Sequence, residues 1–392
     1  MPLSKFLPKD ILVAGGSITG LTVAKRLIDL GQMVTVCEKA LKPYIEKGRG
    51  GILHPSIIKR GMELGLFPKD LPQTLCMGKT FWIGSEIVRK EPFFLKGVNL
   101  EHIYDSLRCD FPQQSYFAGS KVEKISPIAK EGSKYFVQTD DSAHIVDNVI
   151  GADGIGSVVR RGAFPSFETP ITGGVIWGGV ISDHASVNNK LFNEHAQIFL
   201  FSGGRLEVCK IPAPDFHISK QMVLNWTLYE NETEMPLHEL FTDKYGNMSS
   251  GCLSADKLST IAHAHLMQLV HSQLPGPIAE IMVKTGTPSL RLSHDFCLPN
   301  LNKGGIFLVG DAAAAVPDEN TNLAKALTGA YNLVETLMLT FEAQPKSFTP
   351  SCDAKRCKTN KENTEKEIDN LCEQTEGLNL VSSPETKPRS DV

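Results

Sequence analysis

The chain has 392 residues, 41% hydrophobic and 21% charged, with a net charge of -4 and 9 cysteines. That length suits two intertwined domains or one large domain with an appendage, and the mild acidity excludes a basic field for nucleic acid or an anionic membrane. No apolar run reaches the roughly 18 residues needed to span a bilayer, no leader pattern precedes Lys9, and the cysteines form no close CxxC pair, so a reduced, cytoplasmic protein acting on a small molecule is expected.

Taken in chain order, residues 11–39, "ILVAGGSITGLTVAKRLIDLGQMVTVCEK", read as strand, glycine turn, amphipathic helix and strand, one βαβ unit. From Lys121 to Ile150 short apolar runs alternate with turn residues, the pattern of a β-meander. Gly173 to Tyr229 is again strand-rich and gives way to a helical stretch from Ala255 to Lys284, which predicts a second, mostly antiparallel layer. The chain returns to a strand at Gly305 to Val309 and a helix over about Thr321 to Phe341, so the nucleotide-binding domain is expected to be discontinuous, with the second domain inserted into it. Beyond Lys346 the sequence is mostly polar with sparse apolar positions, which predicts a marginal surface helix followed by disorder.

The turn "GGSITG" carries the first chemistry. Gly15 allows the tight bend from strand to helix, and Gly20 lets helix and strand pack closely. Ser17 stands where a middle glycine is usual, its hydroxyl able to bond a phosphate, and the helix N-terminus at residues 18–21 offers free N–H groups to a pyrophosphate. Glu38, at the end of the second strand, can accept both ribose hydroxyls of an adenosine, and an acid there disfavours a 2′-phosphate. An adenine dinucleotide is expected, held by Gly15, Gly16, Ser17, Thr19, Gly20, Glu38 and Lys39.

Two further stretches decide which dinucleotide. "GADGIGSVVR", within Val149 to Arg161, resembles the Asp-Gly motif, and "GIFLVGDAA", from Gly305, the Gly-Asp motif, of FAD-dependent aromatic hydroxylases with the p-hydroxybenzoate hydroxylase fold. With the glycine turn they stand in that family's order and spacing. "GVIWGGVIS", "LNWTLYEN" and "LPGPIAEIMVKTGTPSLRLSHDFCLPN" resemble the 2,6-dihydroxypyridine hydroxylase-like branch, and the likeness extends from Lys9 to about Glu342. The resemblance implies an α/β fold in which a Rossmann-like FAD-binding domain (1–75, 100–168 and 290–342) carries an inserted, mostly antiparallel β-sheet substrate domain (76–99 and 169–289), a C-terminal helical segment (343–381) and a disordered tail (382–392). It implies non-covalent FAD, with Glu38 on the adenosine ribose, Arg108 towards the pyrophosphate, Asp153 supporting cofactor and fold, and Gly310 with Asp311 at the ribityl chain.

The activity implied is a monooxygenase that hydroxylates a small aromatic or N-heteroaromatic ring. NADH or NADPH binds transiently and reduces the flavin; O2 then forms a C4a-hydroperoxide that delivers the hydroxyl, in a monomer or homodimer. No second nucleotide fingerprint is needed, and the protein's task is to position the ring and exclude water.

Two departures from the family stand out. The loop after Pro317, "PDENTNLAKA", contains no glycine and puts Asn322 at the family's glycine position, with Asp318 and Glu319 just before it. Those two carboxylates are either solvated first-turn residues favoured by the helix dipole or inward groups opposing a reduced flavin's charge. Gly178 follows Trp177 where that branch has an arginine. Trp177 and Trp226 are either walls of a substrate cavity or core, and His54 is either a base for a phenolic proton or a side chain hydrogen-bonded in place. His263 and His265 point to different sides of a helix, and Cys352 and Cys357 form no quartet, so no metal is expected. Two rival readings are a flavin-binding protein that no longer turns over and an NAD-dependent dehydrogenase; the late Gly-Asp strand argues against the dehydrogenase.

Overall fold

The computed structural model describes residues 9–41, 48–128 and 134–342. The helical segment expected over 343–381 and the tail over 382–392 lie outside them.

The chain enters through β1 (Asp10–Ala14), α1 (Ile18–Asp29) and β2 (Met33–Glu38), the expected βαβ unit. Ile11 to Ala14 are all buried, as suits a parallel strand covered on both faces. There follow β3 (Gly50–Leu53), α2 (Pro55–Glu63), the long hairpin of β4 (Gln73–Ile83) and β5 (Glu86–Asn99), and α3 (Leu100–Arg108). Next come β6 (Tyr116–Ala118), β7 (Val122–Ile128), β8 (Lys134–Thr139), β9 (Ala143–Val146), β10 (Asn148–Gly151) and α4 (Val158–Ala163). The meander is thus three strands, β7 to β9, rather than the whole of Lys121 to Ile150. β10 is fully apolar at Val149 and Ile150 and joins the parallel sheet instead.

That sheet has six strands in the order Asn302–Lys303, Ile306–Leu308, β10, β1, β2, β6, all parallel except the outermost Asn302–Lys303. Ala14 pairs with Gly151, and Gly151 with Leu308. Parallel neighbours in register end at one level, so the loops that follow these three strands leave the sheet side by side. This is where open α/β sheets bind ligands.

The second sheet has nine strands: Cys252–Leu253, Ser289–Leu292, β11 (Val175–Ile181), β14 (Met222–Glu230), β13 (Gly204–Pro212), β12 (His195–Phe201), β4, β5 and β3. Its pairs are antiparallel except β12 with β4. Helices Thr260–Gln273 and Gly276–Met282 cover it, packing Ala262, Leu266, Val270 and Met282 against Trp177, Trp226 and Leu228. The chain then returns to the first sheet and closes with the long helix Glu319–Glu342, whose Leu327, Ala330 and Leu337 join the core around α1. Among the described residues, no helix is long and apolar enough to cross a membrane.

Close backbone packing around α1 sets a steric limit. A Cβ added to Gly20 would lie 1.9 Å from the Gly15 carbonyl oxygen, whereas one added to Gly276 meets nothing within 4 Å. Gly20→Ala is therefore expected to lower stability by about 1–3 kcal/mol, and Gly276→Ala to change it by less than about 0.5 kcal/mol. Thermal unfolding of the two variants beside the parent checks this; equal melting would show that the β1–α1 turn relaxes freely.

Candidate active site

Three loops meet at the ends of β1, β10 and the strand Ile306–Leu308. Gly15 has φ +103°, and a Cβ there would lie 2.3 Å from the Ala152 carbonyl oxygen, so the first loop presses directly on the second. Gly310 has φ +63° and packs against Thr19, whose Cγ2 would be 3.1 Å from an added Cβ, so the third loop presses on the first. Both left-handed positions suit glycine. Second and third loops are tied by Arg160, which is buried and donates from Nη1 to the carbonyls of Asp311 (3.3 Å) and Ala312 (2.9 Å), and from Nη2 to the Ile155 carbonyl and Thr169 Oγ1 (2.8 Å). The sequence marks Arg160 only as polar grip in a glycine-rich loop; its role as the tie between two motifs 150 residues apart becomes visible only in the fold.

Asp153 spends its carboxylate locally. Oδ1 accepts from Ser157 Oγ (2.5 Å) and Oδ2 from the N–H groups of Val158 (2.7 Å) and Val159 (3.2 Å), fixing the start of α4. Its supporting role towards the fold is thus plain in the geometry.

At the first loop, Ser17 precedes α1 exposed and without a side-chain cap bond, leaving its hydroxyl and the helix N–H groups available. Glu38 accepts from the Gly16 N–H through Oε2 (2.7 Å) and from the Ala40 N–H through Oε1 (2.9 Å), which aims a half-buried carboxylate across the glycine turn. Each oxygen retains a further lone-pair direction for a sugar hydroxyl. Lys39 beside it is exposed. Arg108, at the end of α3, has its guanidinium 4.0 Å from the centre of the Tyr116 ring, and its Nη1 is buried without a hydrogen-bond partner. Tyr116 in turn packs on Gly16, where a Cβ would meet its hydroxyl at 2.5 Å. A buried, unsatisfied guanidinium nitrogen beside a free helix N-terminus fits an anionic pyrophosphate. Tyr116 escapes sequence reading because an aromatic on a short edge strand carries no such signal.

Asp311 begins the third loop half-buried. Burial pushes its carboxyl above the ordinary carboxylate range, with Arg291, His294 and Arg160 opposing that effect in part. A cavity of about 480 Å³ opens against the large sheet, lined by Arg49, Gly178, Gly179, Ser254, Asp256 and Ser289 among others.

The tryptophans do not wall this cavity. Trp177 and Trp226 are both 0% exposed in the core of the second sheet. Strand residues alternate faces, so Gly178 looks into the cavity while Trp177 looks away, where its Nε1 donates to Glu230 Oε2 (3.1 Å). Trp226 lies behind Gly179 and donates to Thr285 Oγ1 (2.9 Å). His54 is likewise placed as a structural group: exposed, it caps α2, with Nδ1 2.7 Å from Ser56 Oγ and accepting from the Ser56 N–H (3.3 Å). His265 bonds Glu230 Oε1 (2.8 Å).

The glycine-free loop faces inward. Asp318 accepts from the Thr321 N–H (2.7 Å) and pairs with Arg205 (3.2 Å); although burial alone would raise its carboxyl, the positive charges of Arg205 and Lys79 and the bond from Thr321 hold it below the ordinary value. Glu319 pairs with Arg49 (2.6 Å) and Arg291, while its N–H donates to the Tyr229 hydroxyl (3.1 Å). Asn320 accepts from the Ile52 N–H (2.9 Å) and donates to Glu207 (3.2 Å). The two carboxylates are therefore ion-paired groups, neither solvated nor bare. Asn322 is in the first turn of the helix and braces the preceding loop, accepting from the Val316 N–H (2.8 Å) and donating to its carbonyl (2.5 Å). Among the described non-glycine residues only Lys220 has a left-handed φ, so Asn322 does not reproduce a glycine's conformation. At Gly178 an added Cβ would lie 2.4 Å from Arg49 Nη2, so Arg49 fills the space above the glycine.

A family model described as FAD binding domain-like matches residues 171–295. The fold is the p-hydroxybenzoate hydroxylase fold, and the chain is similar to FAD-dependent monooxygenases. Its likeness runs to one branch in particular: the chain is 28% identical to 2,6-dihydroxypyridine 3-monooxygenase of Paenarthrobacter nicotinovorans over 334 residues, 83% of this chain and 82% of that one. The solved structure of 2,6-dihydroxypyridine-3-hydroxylase from Arthrobacter nicotinovorans matches with a TM-score of 0.76 at 26% identity, covering 87% of this chain and 86% of that one. The FAD-dependent monooxygenase dpfgE of Gibberella zeae is 25% identical over 190 residues, 42% of this chain and 40% of its own. Klebsiella pneumoniae HpxO, solved with FAD and uric acid, shares the fold at a TM-score of 0.65 and 17% identity, covering 86% of this chain and 81% of that one.

The raised Asp311 carboxyl has a consequence for stability. When a buried acid titrates higher in the folded than in the unfolded state, its ionised form costs stability at neutral pH, and the cost fades as pH falls through the folded value. Asp311→Asn cannot ionise. It is expected to leave the ligand-free protein at least as stable at pH 7, while weakening FAD retention by about 1.5–3 kcal/mol through loss of a charged acceptor. Melting without ligand and FAD titration check the two halves separately; lower stability with unchanged FAD affinity would contradict the assignment.

Proposed function

We propose that the chain is an FAD-dependent monooxygenase that hydroxylates a small aromatic or N-heteroaromatic compound, using NADH or NADPH and O2. The observation that carries this reading is the convergence of the three loops at Gly15, Ala152 and Gly310; the cavity against the large sheet, linked to the head of the last helix through the Arg49–Glu319 pair, is large enough for a single ring system. In this reading Glu38 takes the adenosine ribose, Arg108 and the N-terminus of α1 the pyrophosphate, and Asp311 the ribityl hydroxyls. The flavin, when bound, supplies the redox and oxygen chemistry. The residues of the chain bind and orient it, and the cavity beside Arg49 is where a planar substrate would be held. Arg49, Asp256, Ser254 and Ser289 give that cavity charged and hydroxyl groups along its wall, which supports a ring bearing hydroxyl or ring-nitrogen groups over a purely hydrocarbon one. The names of the two dihydroxypyridine-acting relatives point the same way.

The test is to purify the protein, reconstitute it with FAD, and follow NADH and NADPH oxidation with a panel of hydroxylated benzenes and pyridines, identifying products by mass. The expected result is stimulated oxidation with one or a few of the rings and a product heavier by one oxygen. Stable FAD binding with no reduction by either nucleotide and any ring would favour the retired flavoprotein instead.

A further inference from the structure

Three consecutive residues at the head of the last helix each reach into the large sheet: Asp318 to Arg205, Glu319 to Arg49 and Arg291, and Asn320 to Glu207 and the Ile52 N–H. The middle one differs in that it holds two guanidiniums at once. Arg49 is buried, its Nη1 donating to the carbonyls of Trp226 and Gly179 (3.4 Å) and its Nη2 lying 3.4 Å from Thr227 Oγ1, so the sheet fixes its position. Arg291 is on the strand Ser289–Leu292, half-exposed, and its charge is felt by Asp311. Glu319 thus joins Arg49, which lines the cavity, to Arg291, whose charge acts on Asp311. Within this clasp two guanidiniums share one carboxylate.

We infer that Glu319 is a positioning residue that sets the electrostatic balance between oxidised and reduced flavin, by neutralising one of the two guanidiniums it clasps at the head of the last helix. The inference rests on the reading of the site as an FAD site. A reduced flavin carries negative charge at its pyrimidine edge, so Arg49 and Arg291 favour it and Glu319 opposes it. At separations of several ångströms a unit charge still acts appreciably inside a protein. The clasp is therefore large enough to shift the preference measurably, and the helix N-terminus behind it adds to the positive side.

The experiment compares the parent with Glu319→Gln and Arg291→Gln. In each, the dissociation constants of oxidised FAD and of dithionite-reduced FAD are measured anaerobically, and ligand-free melting is recorded. Glu319→Gln is expected to raise the preference for reduced over oxidised FAD by about tenfold, equivalent to ~30 mV for a two-electron couple, and Arg291→Gln to lower it by a similar factor. Because Arg49 is buried, Glu319→Gln is also expected to melt lower; Arg291→Gln removes a half-exposed group and carries the test if the first variant does not fold. Ratios within twofold of the parent in the variants that fold, with FAD still bound, would overturn the inference while leaving the FAD site intact. Failure of the parent to bind FAD in either state would overturn the FAD reading and the inference with it.

Discussion

The structure depends on one close approach: the α-carbon of Gly15 lies so near the Ala152 carbonyl that no side chain fits between them. That contact locks the turn after β1 to the loop after β10, and only a residue without a Cβ, in a left-handed conformation, permits it. The Gly310 turn is then held against Thr19, and the buried guanidinium of Arg160 joins the second loop to the third through backbone carbonyls. Arg160 pays its desolvation with several hydrogen bonds and a ring contact to Phe296. The result is a tightly packed corner beside which Ser17 makes no cap bond and Arg108 Nη1 is buried without a hydrogen-bond partner.

How much of this was legible in the sequence follows from the range of each interaction. The βαβ unit, the glycine turn and the late strand ending in Gly-Asp are local patterns, fixed by backbone sterics within a few residues, and the resemblance built on them gave the right fold. β10 was assigned to the meander because a short apolar strand reads the same whether it pairs with a hairpin neighbour or with a parallel strand far away in sequence. The sequence alone does not divide Trp177 and Trp226 between wall and core, since strand parity places Trp177 only once Gly178 is known to face the cavity. His54 is open in the sequence between a base and a side chain hydrogen-bonded in place, and the capping bond that decides it is visible only in the structure.

The loop after Pro317 shows the opposite limit. Read alone, Asp318 and Glu319 are two acids in a first helical turn. Their partners are Arg205, Arg49 and Arg291, on strands or loops far from them in the chain, and no spacing rule connects such pairs. Arg49 also fills the space over Gly178, so that glycine and Glu319 are tied to one side chain. Loss of the family's glycine is compatible with an ordered site because Asn322 braces Val316 from within a regular helix.

The central claim, that the three loops form one FAD site, is tested most directly by amide hydrogen exchange with and without FAD. A single ligand spanning the corner is expected to slow exchange together in residues 15–20, 153–159 and 310–322. Protection confined to residues 15–20 and 38–40 would instead describe a site for adenosine alone and contradict the account.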